Sequence, residues 1–366
     1  MKFKSERDML VEALTLSSRV VSTRLVGATS GVLLSLTGNE LVITGTDLDI
    51  TIRTTIDVIG LESGSVVIPA RLIVDAVRSL EAGAVTIDGN DEVVEVSLGR
   101  AKFSLRTFAA MDYPKLPPVT GKLVTIPALD LIQGINQVVR AAATDDARPL
   151  LTGVLLTTDN EALRLIATDS YRLAVRDVPG VSSFGDSHDL LVPARALQEL
   201  QRAASSLTQD AEIGVTLTDA EISFVVGKTN ISSRLIEGNY PSVLQLIPAS
   251  YPSQLRVAKD TLLTSLRRAK LLAKDSTSSV RLSVKDRMVE IRTQSQDAGG
   301  VEDNVDADYV GEDLTIAFNP NFLIDGIEAV MGDEVVLEMS DSVRPAMVHG
   351  VDDLRFRYLL MPVRVQ

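Results

Sequence analysis

Hydrophobic and polar positions follow one layout that comes round three times along this chain. Residues 31 to 52, GVLLSLTGNELVITGTDLDITI, read as strands around a polar turn, with apolar side chains clustered or alternating on each. Residues 151 to 175, LTGVLLTTDNEALRLIATDSYRLAV, repeat the layout. Both copies carry a Gly-Val-Leu-Leu opening, a turn with Asn then Glu, a strand, and a Thr-Asp pair: Thr46 and Asp47 in one, Thr168 and Asp169 in the other. A weaker third copy, SVRLSVKDRMVEIRTQS, occupies 279 to 295.

Around each copy the apolar spacing becomes helical. Leu10, Leu14 and Val21, with Ala13 and Leu16, give residues 5 to 21 one buried face. Further helices are predicted over 70–81, where VVIP leads into ARLIVDAV, over 127–143, over 194–206 after LLVP, over 259–274 and over 319–331. The strands AVTIDG, EVVEVSLG and AKFSLRTF close the first repeat, and EIGVTLTD, EISFVVG and TNISSRLI the second. Tyr113-Pro114 and Tyr240-Pro241 open the linkers, which sets domains at 1–120, 121–250 and 251–366. Each third reads helix, strands, helix, strands. The fold class is therefore α+β, three similar repeats with two helices each packed on a sheet, neighbouring repeats continuing one sheet or packing side by side.

Composition narrows the function more by exclusion than by indication. Hydrophobic residues make up 45% of the 366 while aromatics are 4% with no Trp, so the cores are aliphatic. The charged start MKFKSERDMLVEAL lacks a signal peptide's apolar core, and no apolar run approaches the roughly 18 residues of a membrane span, so the expected location is the cytoplasm. The absence of Cys excludes disulfides and thiolate metal sites. His188 and His349 fall in different repeats without a partner at metal spacing, and no glycine-rich phosphate loop carries a Lys-Ser/Thr end. The pairs Asp47, Asp49 and Asp145, Asp146 are the remaining acid/base or cation candidates, and turn residues of this kind are far more often structural. No cofactor, no metal and no catalysis are expected; a metal-dependent hydrolase using scattered carboxylates is the runner-up.

Charge is distributed unevenly. The net charge is −13, yet the six predicted helices hold 12 Lys or Arg against 10 Asp or Glu, leaving 24 and 39 for the remainder. A uniform charge of this sign would argue against tight phosphate binding, and the near-neutral helices remove that uniformity. An acidic repeat scaffold that binds only proteins is the third reading, and it requires helices as acidic as the strands.

The segments VVIPARLIVDAV, ATDSYRLAV, EGNYPSVLQLIP, AFNPNFLIDGIEAV and YLLMPVRV, in that order over the whole chain, resemble the bacterial DNA polymerase III beta subunit, the sliding clamp. The resemblance implies a head-to-tail homodimeric ring, helices lining the hole and sheets outside, that encircles double-stranded DNA and tethers the replicative polymerase without catalysing anything. It implies DNA-facing Arg24, Arg140, Arg195, Arg202 and Arg267; any one arginine is otherwise an ordinary solvated helix face. It implies a cleft for short peptides of the polymerase III catalytic subunit, the clamp loader, other polymerases and repair proteins. Leu151, Thr168, Ser170, Tyr171, Arg172, Leu173 and Pro241 come to that cleft from the middle repeat. Asn319, Phe322, Val343, Leu360, Met361, Pro362 and Val363 come from the last. Leu173, Val343 and Leu360 serve equally well as core, while Met361 supplies a side chain that adapts to varied partners. Dimer contacts are implied for Phe103 and Leu105 against Leu271 and Leu272 of the other copy, with Glu302 and Asp303 facing bases such as Arg71. Ser170 and Tyr171 depart from the family's frequent Gly-His, and Gln366 extends past its usual apolar end.

Overall fold

A computed structural model describes residues 1–22, 26–159, 162–179, 189–208, 210–273, 279–285, 287–295 and 299–364. The first repeat contains β1 (Lys2–Glu6), α1 (Arg7–Ser18), β2 (Gly31–Thr37), β3 (Glu40–Thr46), β4 (Ile50–Asp57), β5 (Ile59–Glu62), β6 (Gly64–Pro69), α2 (Ala70–Ser79), β7 (Ala84–Gly89), β8 (Val93–Leu98) and β9 (Ala101–Arg106). The second contains β10 (Leu123–Pro127), α3 (Ala128–Val138), β11 (Gly153–Asp159), β12 (Ala162–Thr168), β13 (Arg172–Pro179), β14 (Asp189–Pro193), α4 (Ala194–Ala203), β15 (Glu212–Leu217), β16 (Glu221–Val226) and β17 (Thr229–Arg234). The third contains β18 (Ser253–Ala258), α5 (Lys259–Lys270), β19 (Val280–Lys285), β20 (Met288–Ser295), β21 (Gly299–Val310), β22 (Leu314–Phe318), α6 (Pro320–Ala329), β23 (Glu334–Met339), β24 (Ala346–Gly350) and β25 (Phe356–Leu360).

All six predicted helices are present, each shorter than its apolar pattern. The first starts at Arg7, not at residue 5, because Lys2–Glu6 pairs as a strand with both β5 and β7. Those five residues alternate between half-buried or exposed and buried positions, a period-2 pattern too short to stand out beside the helix that follows. The third and fourth helices tighten into 3₁₀ turns at Val139–Ala141 and Ala204–Ser206.

The chain divides into two compact units, residues 1–129 with 195–235 and residues 130–194 with 236–366. In the first, a five-stranded sheet runs β5-β1-β7-β8-β9 and an eight-stranded sheet runs β10-β15-β16-β17-β4-β3-β2-β6. Leu10 and Leu14 of α1 and Ile73 and Val77 of α2, all fully buried, pack with Leu34, Ile43, Val85 and Val96 of the strands. The second unit holds one twelve-stranded sheet, β14-β11-β12-β13-β25-β24-β23-β18-β21-β20-β19-β22. Of the two expected ways for repeats to meet, the structure uses the continued sheet. In each unit the last strand of one repeat pairs antiparallel with the third strand of the layout in the repeat before it: β17 with β4, and β25 with β13.

The β13–β25 join also carries charge. Arg176, 2% exposed, directs its guanidinium to Asp353 at 2.5 Å, while Asp177 takes Arg164 at 2.6 Å and Arg357 at 3.3 Å. Removing one partner of a buried pair leaves an uncompensated charge. Asp353→Ala should therefore destabilise the protein by about 3 kcal/mol, read as a lowered urea midpoint.

Candidate functional site

The turn after β12 shapes the second unit's candidate site. Thr168 Oγ1 donates to the Arg172 carbonyl at 2.6 Å and accepts from the Ser170 amide at 3.1 Å. Asp169 Oδ1 accepts from the amides of Tyr171 and Arg172 at 2.9 and 3.0 Å, so the Thr-Asp pair closes the turn through its side chains. Ser170 is driven to φ +78°, the left-handed region, at a cost on the order of 1 kcal/mol for a residue with a Cβ. Arg148 Nη1 holds its hydroxyl at 2.8 Å. The first repeat builds the same turn from Thr46 and Asp47 with Leu48 at φ +81°, which explains why the dipeptide recurs in the sequence.

This turn lies against α6. Asn319 caps that helix by accepting from the amides of Asn321 and Phe322 at 2.9 and 3.4 Å. The Phe322 ring stacks on Tyr171 with centroids 6.3 Å apart and has the Arg172 guanidinium 4.4 Å from its centroid. Arg172 also bonds Asp169 at 2.9 Å and Asp325 at 2.6 Å. Burial alone would lower its pKa, but Tyr358, Asp325 and Asp169 outweigh that and hold it above its ordinary value. Tyr358, its phenol pushed up by burial, donates to the Phe322 carbonyl at 2.8 Å. Gly326 makes the arrangement possible, since a Cβ there would stand 2.4 Å from the Tyr358 ring.

Beneath the turn, Leu173 joins Ile166, Val175, Val243, Met347 and Leu359 in a buried cluster, with Leu155, Tyr240, Ile247 and Tyr251 packed against it. Leu360 is fully buried, and Leu151 and Thr168 are nearly so. Tyr171, Val343 and Met361 are exposed at 59%, 58% and 42%. Met361 donates its amide to the Tyr171 carbonyl at 2.9 Å, which draws the C-terminal segment, with half-buried Pro362 and Val363, beside the turn. Pro241 is exposed, one residue from Tyr240. The turn, the Asn319–Phe322 cap and the C-terminal segment therefore meet, while Val343 sits on a separate loop turn held by Asp341. Sequence reasoning missed Val243, Met347 and Tyr251; the apolar segment from Val243 to Ile247 was the available signal.

Arg24 lies outside the described residues, as does His188. The other four candidate DNA-facing arginines are about half exposed, and each is held by carboxylate. In the first unit Arg195 pairs with Asp47, and Arg202 with Glu199, which also takes Arg19 at 2.8 Å. In the second, Arg140 reaches Asp325 at 3.4 Å and Glu328 at 2.7 Å, and Arg267 reaches Glu328 at 2.9 Å. Burial raises the Glu328 pKa, but hydrogen bonds from Arg267 and Arg140 more than offset it and hold the carboxyl below its usual range. Within their observed bounds the six helices carry nine basic and eight acidic side chains, so they remain less acidic than the rest of a chain of net charge −13.

Phe103 and Leu105, half-buried on β9, pack on the first unit's core. In the second unit Leu271 is 69% exposed and Leu272 half-buried. Glu302 and Asp303 already have partners there, Arg292 at 2.9 Å and Arg268 at 2.7 Å. His349 is buried with Nδ1 2.8 Å from the Gly350 carbonyl oxygen, a core position, and Asp47, Asp49 and Asp145 lie in turns. Among the described residues no cluster of His, Asp or Glu fits a metal, and no helix is long and apolar enough to cross a membrane.

Three family models match in succession: the N-terminal domain of the DNA polymerase III beta subunit over residues 1–117, its central domain over 125–242 and its C-terminal domain over 244–364. The beta sliding clamp of Streptomyces coelicolor is 31% identical over 380 residues, covering all of both chains. The chain belongs to the beta sliding clamp family. Its three-repeat α+β fold is that of the clamps. The crystal structure of the Bacillus subtilis DNA polymerase sliding clamp is 29% identical with a TM-score of 0.90, and the Pseudomonas aeruginosa clamp bound to griselimycin is 28% identical with a TM-score of 0.90, each covered in full by the whole chain. Sliding clamps are non-catalytic processivity factors of DNA polymerase III, which removes the hydrolase reading.

Gly326→Ala should push the Tyr358 ring off α6 and cost about 2 kcal/mol, with loss of the Tyr171–Phe322 stack visible as altered aromatic NMR shifts.

Proposed function

We propose that this sliding clamp works as a head-to-tail homodimer, a ring that encircles duplex DNA without reading its sequence. The observation that carries this is the repeated join of sheets. Twice within the chain the last strand of a repeat pairs with the third strand of the preceding layout. Among the described residues, the last strand of the first repeat, β9, is bonded only to β8, and the stretch 299–306 of the third repeat's third strand, β21, only to β20, so these are the two strands of that kind without a join. Unpaired strand edges call for a partner, and a second copy supplies both at once, closing a ring by the same operation.

The hairpins fix the register of that third join. Ile43, Leu165 and Ile291 occupy one position in the repeats, and their partners are Thr54, Arg176 and Asp303. Thr54 faces Thr229, whose place in the β8–β9 hairpin is taken by Ala101. Asp303 thus faces Ala101 of the second copy, Glu302 faces Lys102, and Val301 faces Phe103. Lys228 meets Asp57 at the internal join, and Arg100 and Asp306 stand at the same places in this one.

Clamp domains are assigned to 1–120, 121–250 and 251–366, with cytoplasmic location. Arg24, Arg140, Arg195, Arg202 and Arg267 face DNA, and the turn at 168–172 with Phe322 and Met361 receives peptides of the polymerase III catalytic subunit, the clamp loader, other polymerases and repair proteins. No cofactor is assigned. Support for a sliding contact comes from the carboxylates that share Arg140, Arg195, Arg202 and Arg267, since phosphates must compete with them.

Loaded by its cognate loader, the clamp should stay on a circular plasmid and run off the same plasmid linearised; equal loss from both would refute topological binding. In the cleft, Met361→Ala with Leu173→Ala should weaken a polymerase-tail peptide at least about tenfold, and an unchanged affinity by fluorescence anisotropy would exclude this placement.

A further inference from the structure

The repeats align through their first helices as well as their strands. The buried positions Leu10 and Leu14 of α1 correspond to Leu131 and Ile135 of α3 and to Leu262 and Leu266 of α5. Carried to the helix end, this alignment places Arg19, Arg140 and Leu271 at one position. The second helices align from Pro69, Pro193 and Asn319, which puts Asp75, Glu199 and Asp325 at one position and Leu72, Ala196 and Phe322 at another.

At both joins inside the chain the first set meets the second. Arg19 bonds Glu199 at 2.8 Å, and Arg140 lies 3.4 Å from Asp325. At the first join Glu199 is 4% exposed and Ala196 buried, and at the second Phe322 and Asp325 are half-buried. The corresponding face of α2 is bare, with Leu72 54% exposed and Asp75 59% exposed beside Arg71 of its own helix at 3.7 Å. Leu271, where the arginine would be, is bare too.

We propose that the joint between subunits is closed by an apolar contact of Leu271 with the second copy's Leu72, where both internal joints carry an arginine–carboxylate clip, so that Leu271 faces an Asp75 with no cation from across the joint. This rests on the homodimer reading. The clip is absent at the one joint where separate chains meet, and residue 271 sets how firmly that joint closes. A second cation is compatible with the acceptor position, since Glu199 also takes Arg202 and Asp325 also takes Arg172.

The test is the dimer dissociation constant of the full chain carrying Leu271→Arg, Leu271→Gln or Leu271→Glu, measured by sedimentation at low salt, each also with Asp75→Asn. Residues 271 and 75 are exposed in the single chain, so the substitutions leave its core intact. Expected is a dimer tightest with Arg and weakest with Glu, the extremes differing by about fivefold or more, with the difference lost in the Asp75→Asn background. Equal constants for Arg and Glu, or a difference that survives Asp75→Asn, would overturn the inference. An unsubstituted chain that stays monomeric at micromolar concentration would instead remove the homodimer reading, and the inference with it.

Discussion

Backbone amides and carbonyls at the edge of a sheet need partners, and the rest of this molecule follows from where they find them. No repeat satisfies its own edges. The third strand of the first repeat's layout takes the last strand of the second, and the third strand of the second takes the last strand of the third. The compact units are consequently not the repeats: each is assembled from parts of two, and the cut between them passes through the middle repeat. Helix packing and ion pairs elaborate these joins, as with Arg176 and Asp353 beside β25.

The electrostatics answer a different demand. A protein this acidic meets a polyanion only if its basic groups are gathered, and the near balance of charge in the helices does that without making them strongly cationic. Glu199 and Glu328 each hold two arginines, so a phosphate must displace a carboxylate to gain a full contact. With these arginines facing DNA as proposed above, such exchange would keep every individual contact weak, which is what motion along DNA requires.

Much of this was legible in the chain. Helical spacing located all six helices, and the Thr-Asp pair marked the turn at 168–172, because its side chains satisfy backbone amides within four residues. Effects decided at long range were not legible. The strand at Lys2–Glu6 exists through its partners at 59–62 and 84–88, and nothing in five residues announces them. Leu360 and Met361 look alike as apolar neighbours, yet Leu360 ends β25 and is buried with Tyr358 and Leu359, while Met361 lies past the strand's end and is exposed. The carboxylate partners of the arginines lie as far as 188 positions away, beyond any local pattern.

The β4–β17 join also bears on synthesis. Thr54 waits for Thr229, 175 residues later in the chain. At roughly 5–20 residues per second, the ribosome leaves β4 without that neighbour for on the order of ten seconds or more. The nascent first repeat must spend that time with a hydrogen-bonding edge open, on a polysome where identical chains emerge close by. Premature pairing between neighbouring chains is the hazard built into such an order, and it makes the newly made first repeat a natural client for chaperones.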